Sequence, residues 1–171
     1  MMQYRDRIIG LEYHNAADLT PHPGNWRSHP KSQVDALRGI LGEVGIADTI
    51  LAYRSERNGG KLTVIDGHLR RDAAPQQWPV LVLDVTDAEA DYLLAVVDPL
   101  SAMANADAAA LDALLASVNS GDAAVQAMLA GLAEEAGITP PDFEPVDVSE
   151  QPRLDQKSPV TCPHCGEEFV P

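Results

Sequence analysis

Apolar and polar positions follow two different spacings along the first half of the chain. Short runs rich in apolar and β-branched residues predict strands at 8–13, 49–53, 62–65 and 79–85. Between them, Val34, Leu37, Leu41 and Val44 recur every three to four residues, which predicts an amphipathic helix over residues 31–44. Gly45 is well placed to end that helix. The pattern therefore predicts an α/β alternation.

The segments between these elements carry turn signals. Residues 20–30 hold three prolines and a glycine, a composition that predicts an irregular loop. Residues 55–60 contain Asn58-Gly59, a dipeptide typical of a tight β-hairpin. After residue 85, Thr86 and Glu89 form a capping box that predicts a helix reaching to about residue 97.

The second half of the chain is organised differently. Two Ala-rich amphipathic helices are predicted at 107–118 and 122–136, and a Pro-rich acidic segment follows. The sequence therefore predicts four parts: a domain at 1–98, an acidic helical extension at 99–137, a flexible linker at 138–160 and a terminal Cys-x-x-Cys segment at 161–171.

Charge separates the two halves of the chain more sharply than hydropathy does. The formal net charge is −14, but residues 1–75 carry +1 and residues 76–171 carry −15. An acidic half repels a phosphate backbone, so direct DNA binding is not expected from it. No apolar run reaches membrane-spanning length and no apolar segment follows the charged N-terminus, which predicts a soluble, cytoplasmic protein.

The junction around Gly67 carries the strongest chemical pattern in the sequence. A buried strand runs into this glycine, and a helix with Arg70 and Arg71 in its first turns begins after it. Backbone N–H groups at a helix start and two guanidinium groups favour an anion such as phosphate. The alternative is a βα turn in which Gly67 only relieves strain and both arginines are solvated.

Cys162 and Cys165 form the second pattern. Cys-x-x-Cys followed by glycine is half of a zinc-ribbon site, but structural zinc takes four ligands and the chain has no other cysteine. A second protomer or a distant histidine would have to complete the site, and a second protomer would make zinc the link between two chains of a homodimer. An inert tail and a redox pair remain as alternatives.

The order of these motifs resembles a known family. The loop with Asn25, Arg27 and His29, the helix, the hairpin and the stretch Ile65-Asp-Gly-His-Leu-Arg-Arg-Asp-Ala-Ala74 are similar to the N-terminal domain of the ParB/sulfiredoxin superfamily, over residues 8–97. The resemblance implies a small mixed sheet with packed helices. It also implies a phosphate-binding motif at Gly67, Arg70 and Ala73, with His68 and Arg71 beside it and Asn25, Arg27 and His29 facing the same pocket.

The sequence also departs from this family. Sulfiredoxins carry cysteine immediately after the motif glycine, where this chain has His68, so sulfinic-acid reduction is not expected. Residues 95–100 lack the Glu-Asn-x-x-Arg-like box of chromosome-partitioning ParB proteins, which the resemblance links to metal-bound nucleotide and its hydrolysis. No convincing helix-turn-helix follows. The variant of the motif resembles ParB-like proteins of phages and mobile elements.

Three functions are compatible with these features. The first is a ParB-like accessory protein that binds a nucleoside triphosphate, CTP by resemblance, with Mg²⁺, and acts through protein partners in partition, DNA modification or phage genome handling. The second is a nucleotidase or nuclease of the same superfamily. The third is a ligand-free adaptor. The first requires Arg27 and His29 to face the Gly67 turn; the alternative is a loop anchored in the core by Trp26.

Overall fold

The structure is a computed structural model that describes residues 4–138 and 160–169. It forms two compact units, Met1–Ile138 and Thr139–Pro171, and each is described by itself. Nearly all of the predicted linker at 138–160 lies outside the described residues.

A four-stranded mixed sheet is the centre of the first unit. Its strands are β1 (Ile8–Asn15), β2 (Ile50–Ser55), β3 (Lys61–Asp66) and β4 (Gln77–Leu83). Their order across the sheet is β1-β4-β2-β3. Strand β4 pairs antiparallel with β1 and parallel with β2, and β2 pairs antiparallel with β3. The predicted α+β class with a small mixed sheet is thus confirmed.

Five helices accompany the sheet in this unit, together with a short 3₁₀ turn at Ala16–Asp18. The helices are α1 (Lys31–Glu43), α2 (His68–Ala73), α3 (Asp87–Ala102), α4 (Ala108–Ser117) and α5 (Ala123–Glu135). The capping box is present, because the Thr86 side chain accepts from the Glu89 N–H while the Glu89 carboxylate accepts from the Thr86 N–H. Within the described residues, no helix is both long and apolar enough to cross a bilayer.

Side chains alternate between the two faces of the sheet and build a separate apolar cluster on each. One cluster consists of Ala16, Leu19, Ile50, Ala52, Leu62, Val64, Trp78, Val80 and Val82. The other consists of Tyr53, Ile65, Leu83 and Ala90, with Leu93 and Leu94 of α3 packed against it. Strand β4 lies between two neighbours and contributes to both clusters, but Pro79 and Leu81 on one of its faces are only half-buried.

Two local details differ from the sequence prediction. The β2–β3 hairpin forms, but the residues with positive φ are Gly59 and Gly60 rather than Asn58 and Gly59. The loop therefore comprises residues 56–60, between the paired Ser55 and Lys61, and is longer than a two-residue Asn-Gly turn. Helix α3 ends at Ala102 instead of about residue 97 and contains Pro99. The boundary predicted at residue 98 accordingly falls inside a helix.

The acidic helices belong to the same compact unit as the sheet. Helix α5 packs on α1 at Gly39. The two helices are so close there that a Cβ atom added to Gly39 would lie 2.5 Å from Asp122 Cγ and 2.7 Å from Val125 Cγ2. Oε1 of Glu43, at the end of α1, accepts from the backbone N–H groups of Gly121 (2.7 Å) and Asp122 (3.1 Å). These contacts fix the start of α5 against the end of α1.

The second unit is described over residues 160–169. It is a short hairpin of β5 (Val160–Thr161) and β6 (Glu168–Phe169). Two backbone hydrogen bonds close the turn. The Cys162 N–H donates to the Glu167 carbonyl (2.9 Å), and the Gly166 N–H donates to the Cys162 carbonyl (2.9 Å).

Candidate functional site

Gly67 lies at the point where strand β3 turns into helix α2. Its φ of +95° is a left-handed conformation that residues with a Cβ rarely adopt. An added Cβ atom would also lie 3.1 Å from Ile50 Cγ1 and 3.1 Å from Arg70 Nη1. The backbone conformation therefore calls for glycine here, the space beside it is tight, and the turn borders a cavity.

That cavity has a volume of about 200 Å³. It is formed where the Pro-rich loop, α1, the Gly67 turn and α3 meet. Its lining comprises Asn25, Trp26, Arg27, His29, Gln33, Leu37, Ile65, Asp66, Gly67, His68, Leu69, Arg70, Leu94 and Asp98. Six of the eight residues that the sequence predicts for phosphate or nucleotide binding are thus brought together, although they come from segments about 40 residues apart.

Arg70 is held in this cavity by two carboxylates. Its Nη1 donates to Asp66 Oδ2 at 3.3 Å, and its Nη2 donates to Asp48 Oδ2. The Arg70 side chain is 23% exposed. Because both contacts use the guanidinium, the group is oriented before any anion arrives.

Arg27, on the Pro-rich loop, is also held by a carboxylate. Its Nε lies 2.8 Å from Asp98 Oδ2 on α3, and its guanidinium carbon lies 4.7 Å from the centre of the Trp26 ring. The Asn25 side chain accepts from the Arg27 N–H at 3.3 Å, which stabilises the local turn. Trp26 is 62% exposed, so the alternative in which it anchors the loop in the core is wrong.

His29 and His68 line the cavity in different ways. His29 Nδ1 lies 3.0 Å from Gln33 Oε1 on the exposed rim. His68 is buried, and its Nε2 accepts from the His22 N–H at 3.1 Å, so it fastens the loop to α2. Burial lowers the pKa of His68, partly opposed by the Asp72 carboxylate, and this favours the neutral, hydrogen-bond-accepting ring.

A neighbouring groove shares Trp26 and Leu94 with the cavity and contains a histidine that sequence reasoning did not single out. His22 is buried; its Nδ1 accepts from the Gly24 N–H at 3.0 Å, which places the ring proton on Nε2. Nε2 lies 3.2 Å from Asp91 Oδ1 but outside hydrogen-bond geometry, and no other described group satisfies it. Burial lowers the pKa of His22, and Asp91 opposes that shift.

Two predicted site residues do not reach the cavity. Arg71 Nε donates to the Leu19 carbonyl at 2.8 Å, so this arginine ties α2 to the segment before the loop. Ala73 is buried, and its carbonyl accepts from Arg38 Nε at 3.1 Å. On a short helix, adjacent side chains point about 100° apart, so only one of two neighbouring arginines can face a given side.

The sequence did not single out the acidic partners. Asp98 and Asp66 line the cavity, and Asp48 pairs with Arg70. The sequence pattern places Asp66 beside the motif, but nothing local connects Asp48 with Arg70 or Asp98 with Arg27. Gln33 and Leu37 could have been found from their i, i+4 spacing on one face of the predicted helix.

The cysteine segment forms a knuckle around its turn. Backbone N–H groups of Cys165 and His164 point at the Cys162 sulfur and, with the Cys165 side chain, lower the pKa of the Cys162 thiol. Gly166 has a φ of +76°, which closes the turn. Within the described residues, no group of three or more His, Cys, Asp or Glu side chains is placed to hold a metal ion.

Comparison with known proteins supports the fold. No protein-family model matches the chain, and no curated protein matches it in sequence. The C-terminally truncated chromosome-partitioning protein ParB from Caulobacter crescentus, complexed with CTP-γ-S, is similar with a TM-score of 0.50 and 18% identity, over 62% of this chain and 63% of that chain. The same protein complexed to the centromeric parS site aligns with a TM-score of 0.44 and 14% identity, over 74% and 68% of the two chains.

Only the first of these likenesses supports a structural assignment. It covers less than two thirds of the ParB chain, and its identity is low, so what it shows is the fold alone. The chain described here has a ParB-like fold.

Proposed function

We propose that this protein binds a nucleoside triphosphate, CTP in particular, in the cavity at the Gly67 turn, and that it acts as a ParB-like accessory module in DNA transactions. The observation that carries the proposal is the convergence of the Gly67 turn, Arg70 and Arg27 on one cavity. The similar ParB structure was determined with CTP-γ-S, which supports the choice of CTP.

The phosphates would lie at the Gly67 turn and contact Arg70, while Arg27 would approach them from the loop. Guanidinium groups suit this task because they make paired, charge-assisted hydrogen bonds to phosphate oxygens. Each arginine is already oriented by a carboxylate, so binding requires little side-chain ordering. The same carboxylates compete for the arginines, which makes the affinity depend on how readily those ion pairs exchange.

Mg²⁺ would favour the phosphates in this competition with the carboxylates for the arginines. Mg²⁺ bound to nucleotide takes most of its ligands from phosphate oxygens and water, with one or two protein carboxylates. Asp66 and Asp98 both line the cavity and are the residues able to supply these carboxylates. Mg²⁺ would supply positive charge that offsets repulsion between the phosphates and these two groups.

We infer binding with slow turnover or none. The segment at 95–100 lacks a Glu-Asn pair, and α3 presents Asp98 to Arg27 instead. Residues 72–152 contain neither Lys nor Arg, so α4 and α5 do not suit a DNA backbone. Contact with DNA would therefore go through a protein partner. A role in a phage or mobile element remains part of this proposal.

The adjacent arginines provide a matched test of nucleotide binding. Arg70→Ala should weaken CTP binding at least tenfold, because loss of a charge-assisted hydrogen bond costs about 1.5–3 kcal/mol. Arg71→Ala, which removes a contact to the Leu19 carbonyl outside the cavity, should leave the affinity within about threefold while lowering stability. Titration calorimetry with and without Mg²⁺, below the unfolding transition, measures both.

Two results would contradict the proposal. One is a wild-type protein that binds no nucleotide at millimolar concentration with Mg²⁺ present, which would favour a ligand-free adaptor. The other is an equal loss of affinity in the Arg70 and Arg71 variants, which would place the phosphates elsewhere. Steady release of phosphate by the wild type would instead favour the nucleotidase.

We also propose that Cys162 and Cys165 bind zinc jointly with the same pair of a second chain. The lowered pKa of the Cys162 thiol favours the thiolate, which is the form that binds metal. Native mass spectrometry with a zinc titration should show one zinc ion bound per two chains, removed by a chelator and absent in the Cys162→Ser variant. A monomer without metal at micromolar zinc would overturn this proposal.

A further inference from the structure

The two edge strands of the sheet, β3 and β1, differ in whether another segment covers their outer side. The outer edge of β3 is covered, since the Thr20 N–H donates to the Leu62 carbonyl (2.8 Å) and the Val64 N–H donates to the Thr20 carbonyl (2.9 Å). The outer edge of β1 has no such cover: among the described residues, β1 pairs with β4 alone. An edge strand without a neighbour presents a row of unpaired backbone groups that can accept another strand.

Apart from a register irregularity between Ile8 and Gly10, β1 also lacks the features that normally protect an edge. The strand has no lysine, arginine or proline. Its one carboxylate, Glu12, lies 2.6 Å from His14 Nε2 and 3.3 Å from Arg54 Nη2. The Arg54 guanidinium offsets part of the negative charge at this edge.

Four large apolar side chains of β1 are exposed to solvent. The exposed fractions are 53% for Ile8, 60% for Ile9, 53% for Leu11 and 62% for Tyr13. Leu11 lies opposite Leu81 and Tyr13 opposite Pro79 on β4, and those two residues are themselves only half-buried. The apolar surface therefore continues from the strand edge onto the sheet, as expected for an interaction surface.

We propose that β1 pairs antiparallel with β1 of a second copy of this chain, with the two-fold axis at Leu11. The two four-stranded sheets then join into one continuous sheet of eight strands. A two-fold contact of this kind uses the same surface on both copies and closes on itself, so it satisfies both exposed edges without forming a filament.

The sequence of β1 determines the register. With the axis at Leu11, Leu11 faces its own copy, Ile9 faces Tyr13, and Gly10 faces Glu12. No like charges oppose each other in this arrangement, and apolar residues meet apolar residues on the exposed face. Moving the axis one residue to Glu12 would place two carboxylates directly opposite each other, which is destabilising.

Measuring the oligomeric state tests the contact. The full chain carrying Cys162→Ser and Cys165→Ser, in a chelator, excludes any contribution from zinc. Sedimentation equilibrium should show a reversible dimer, and Leu11→Lys should raise its dissociation constant at least tenfold, because two ammonium groups would then meet at the axis. Leu114→Lys, at a leucine of α4 that is 59% exposed, is the matched control and should leave the dimer unchanged.

Cysteine cross-linking tests the register independently of affinity. Cα atoms of directly opposed residues lie about 4.5–5.5 Å apart, which is within disulfide range. In the chain that carries Cys162→Ser and Cys165→Ser, Leu11→Cys should form a disulfide-linked dimer under mild oxidation. Tyr13→Cys should not, because the two copies of residue 13 would be about 14 Å apart along the strands. A mixture of Ile9→Cys and Tyr13→Cys chains should cross-link.

Three outcomes would overturn the proposal. The first is that the Cys162→Ser/Cys165→Ser chain stays monomeric at a concentration on the order of 100 μM. The second is a dimer that survives Leu11→Lys, and the third is stronger cross-linking at residue 13 than at residue 11. Circular dichroism of each variant confirms that it is folded before its mass is measured, and the exposure of all these positions makes folding the expected result.

Discussion

The sheet region and the α4–α5 extension are held together by different interactions. Fifteen of the sixteen buried apolar residues lie between Ala16 and Ala90, and Val125 is the one within the described residues that lies beyond them. Helix α4 buries none of its residues. The sheet region is therefore stabilised mainly by apolar burial, whereas the extension depends on a small contact with α1 and on hydrogen bonds at Glu43.

This difference explains where the candidate site lies. A cavity lined by paired arginines needs rigid support, and the Gly67 turn has the buried clusters of both sheet faces beside it. The extension has few buried groups and leaves apolar residues such as Leu114 and Met128 exposed. It therefore offers less rigid support for positioning a ligand than the sheet region does.

Truncating one buried residue in each region should give the largest contrast. Trp78 is 1% exposed, and its indole N–H donates to the Ala74 carbonyl at 3.0 Å. Trp78→Ala should lower the free energy of unfolding by about 3–5 kcal/mol. Val125→Ala should lower it by about 1.5 kcal/mol, since two methyl groups are lost. Urea denaturation measures both values. Because Val125→Ala removes far fewer atoms than Trp78→Ala, equal losses would mean that the extension is at least as tightly packed as the sheet region.

Two glycines of α1 provide a sharper test of the contact between the regions. Gly39 faces α5 at distances too short for a Cβ atom, whereas an added Cβ at Gly42 meets nothing within 4 Å. Gly42→Ala should raise the free energy of unfolding by about 0.5–1 kcal/mol through helix propensity. Gly39→Ala gains the same propensity but must displace Asp122 and Val125, so it should be destabilising by about 1–3 kcal/mol.

The test depends on whether Gly39→Ala lowers the free energy of unfolding while Gly42→Ala raises it. Thermal unfolding followed by circular dichroism gives the sign of each change directly. If both substitutions stabilise the protein equally, α5 does not pack on α1 in solution. The exposed surface of α1 would then be larger than the structure describes.

Local patterns were sufficient to predict most of the sheet region. The alternation of β1, the spacing of α1 and the capping box at Thr86 are each set by a few neighbouring residues, and all were predicted from them. The end of α3 was not, because an interior proline usually ends a helix through its missing N–H donor and its ring clash, yet α3 continues past Pro99 to Ala102. The attachment of α5 to α1 depends on residues about 80 positions apart, for which the sequence carries no periodic pattern.

In the candidate site, too, the sequence predicted what depends on neighbouring residues but not what depends on contacts between distant ones. Gly67 and Arg70 were recognised because the strand–glycine–helix order is local. Arg71 shares that local context, yet it turns to the Leu19 carbonyl, and only the packing of α2 decides between the two arginines. The pairing of Arg27 with Asp98 joins the loop to α3 and depends wholly on the tertiary fold.

The smallest expected effect concerns an ion pair on the surface of the sheet region. The Arg7 guanidinium donates to both carboxylate oxygens of Glu89 at 2.8 Å, and together with the Thr86 N–H it lowers the pKa of Glu89 to about 2. Because the folded pKa lies below the ordinary value of 4.5, this group stabilises the fold above pH 4.5 and loses that effect as the pH falls towards 2.

Glu89→Gln should therefore flatten the fall in melting temperature between pH 4.5 and pH 2, while the wild type keeps its steeper decline. The Glu89 side chain is 40% exposed, so solvent screens the pair and the difference should be small and reduced further by salt. Melting curves at intervals of half a pH unit, at low and high salt, measure it. If wild type and variant decline in parallel over this range, the pair does not form in solution, and the sheet region depends on apolar burial even more than the comparison with the extension indicates.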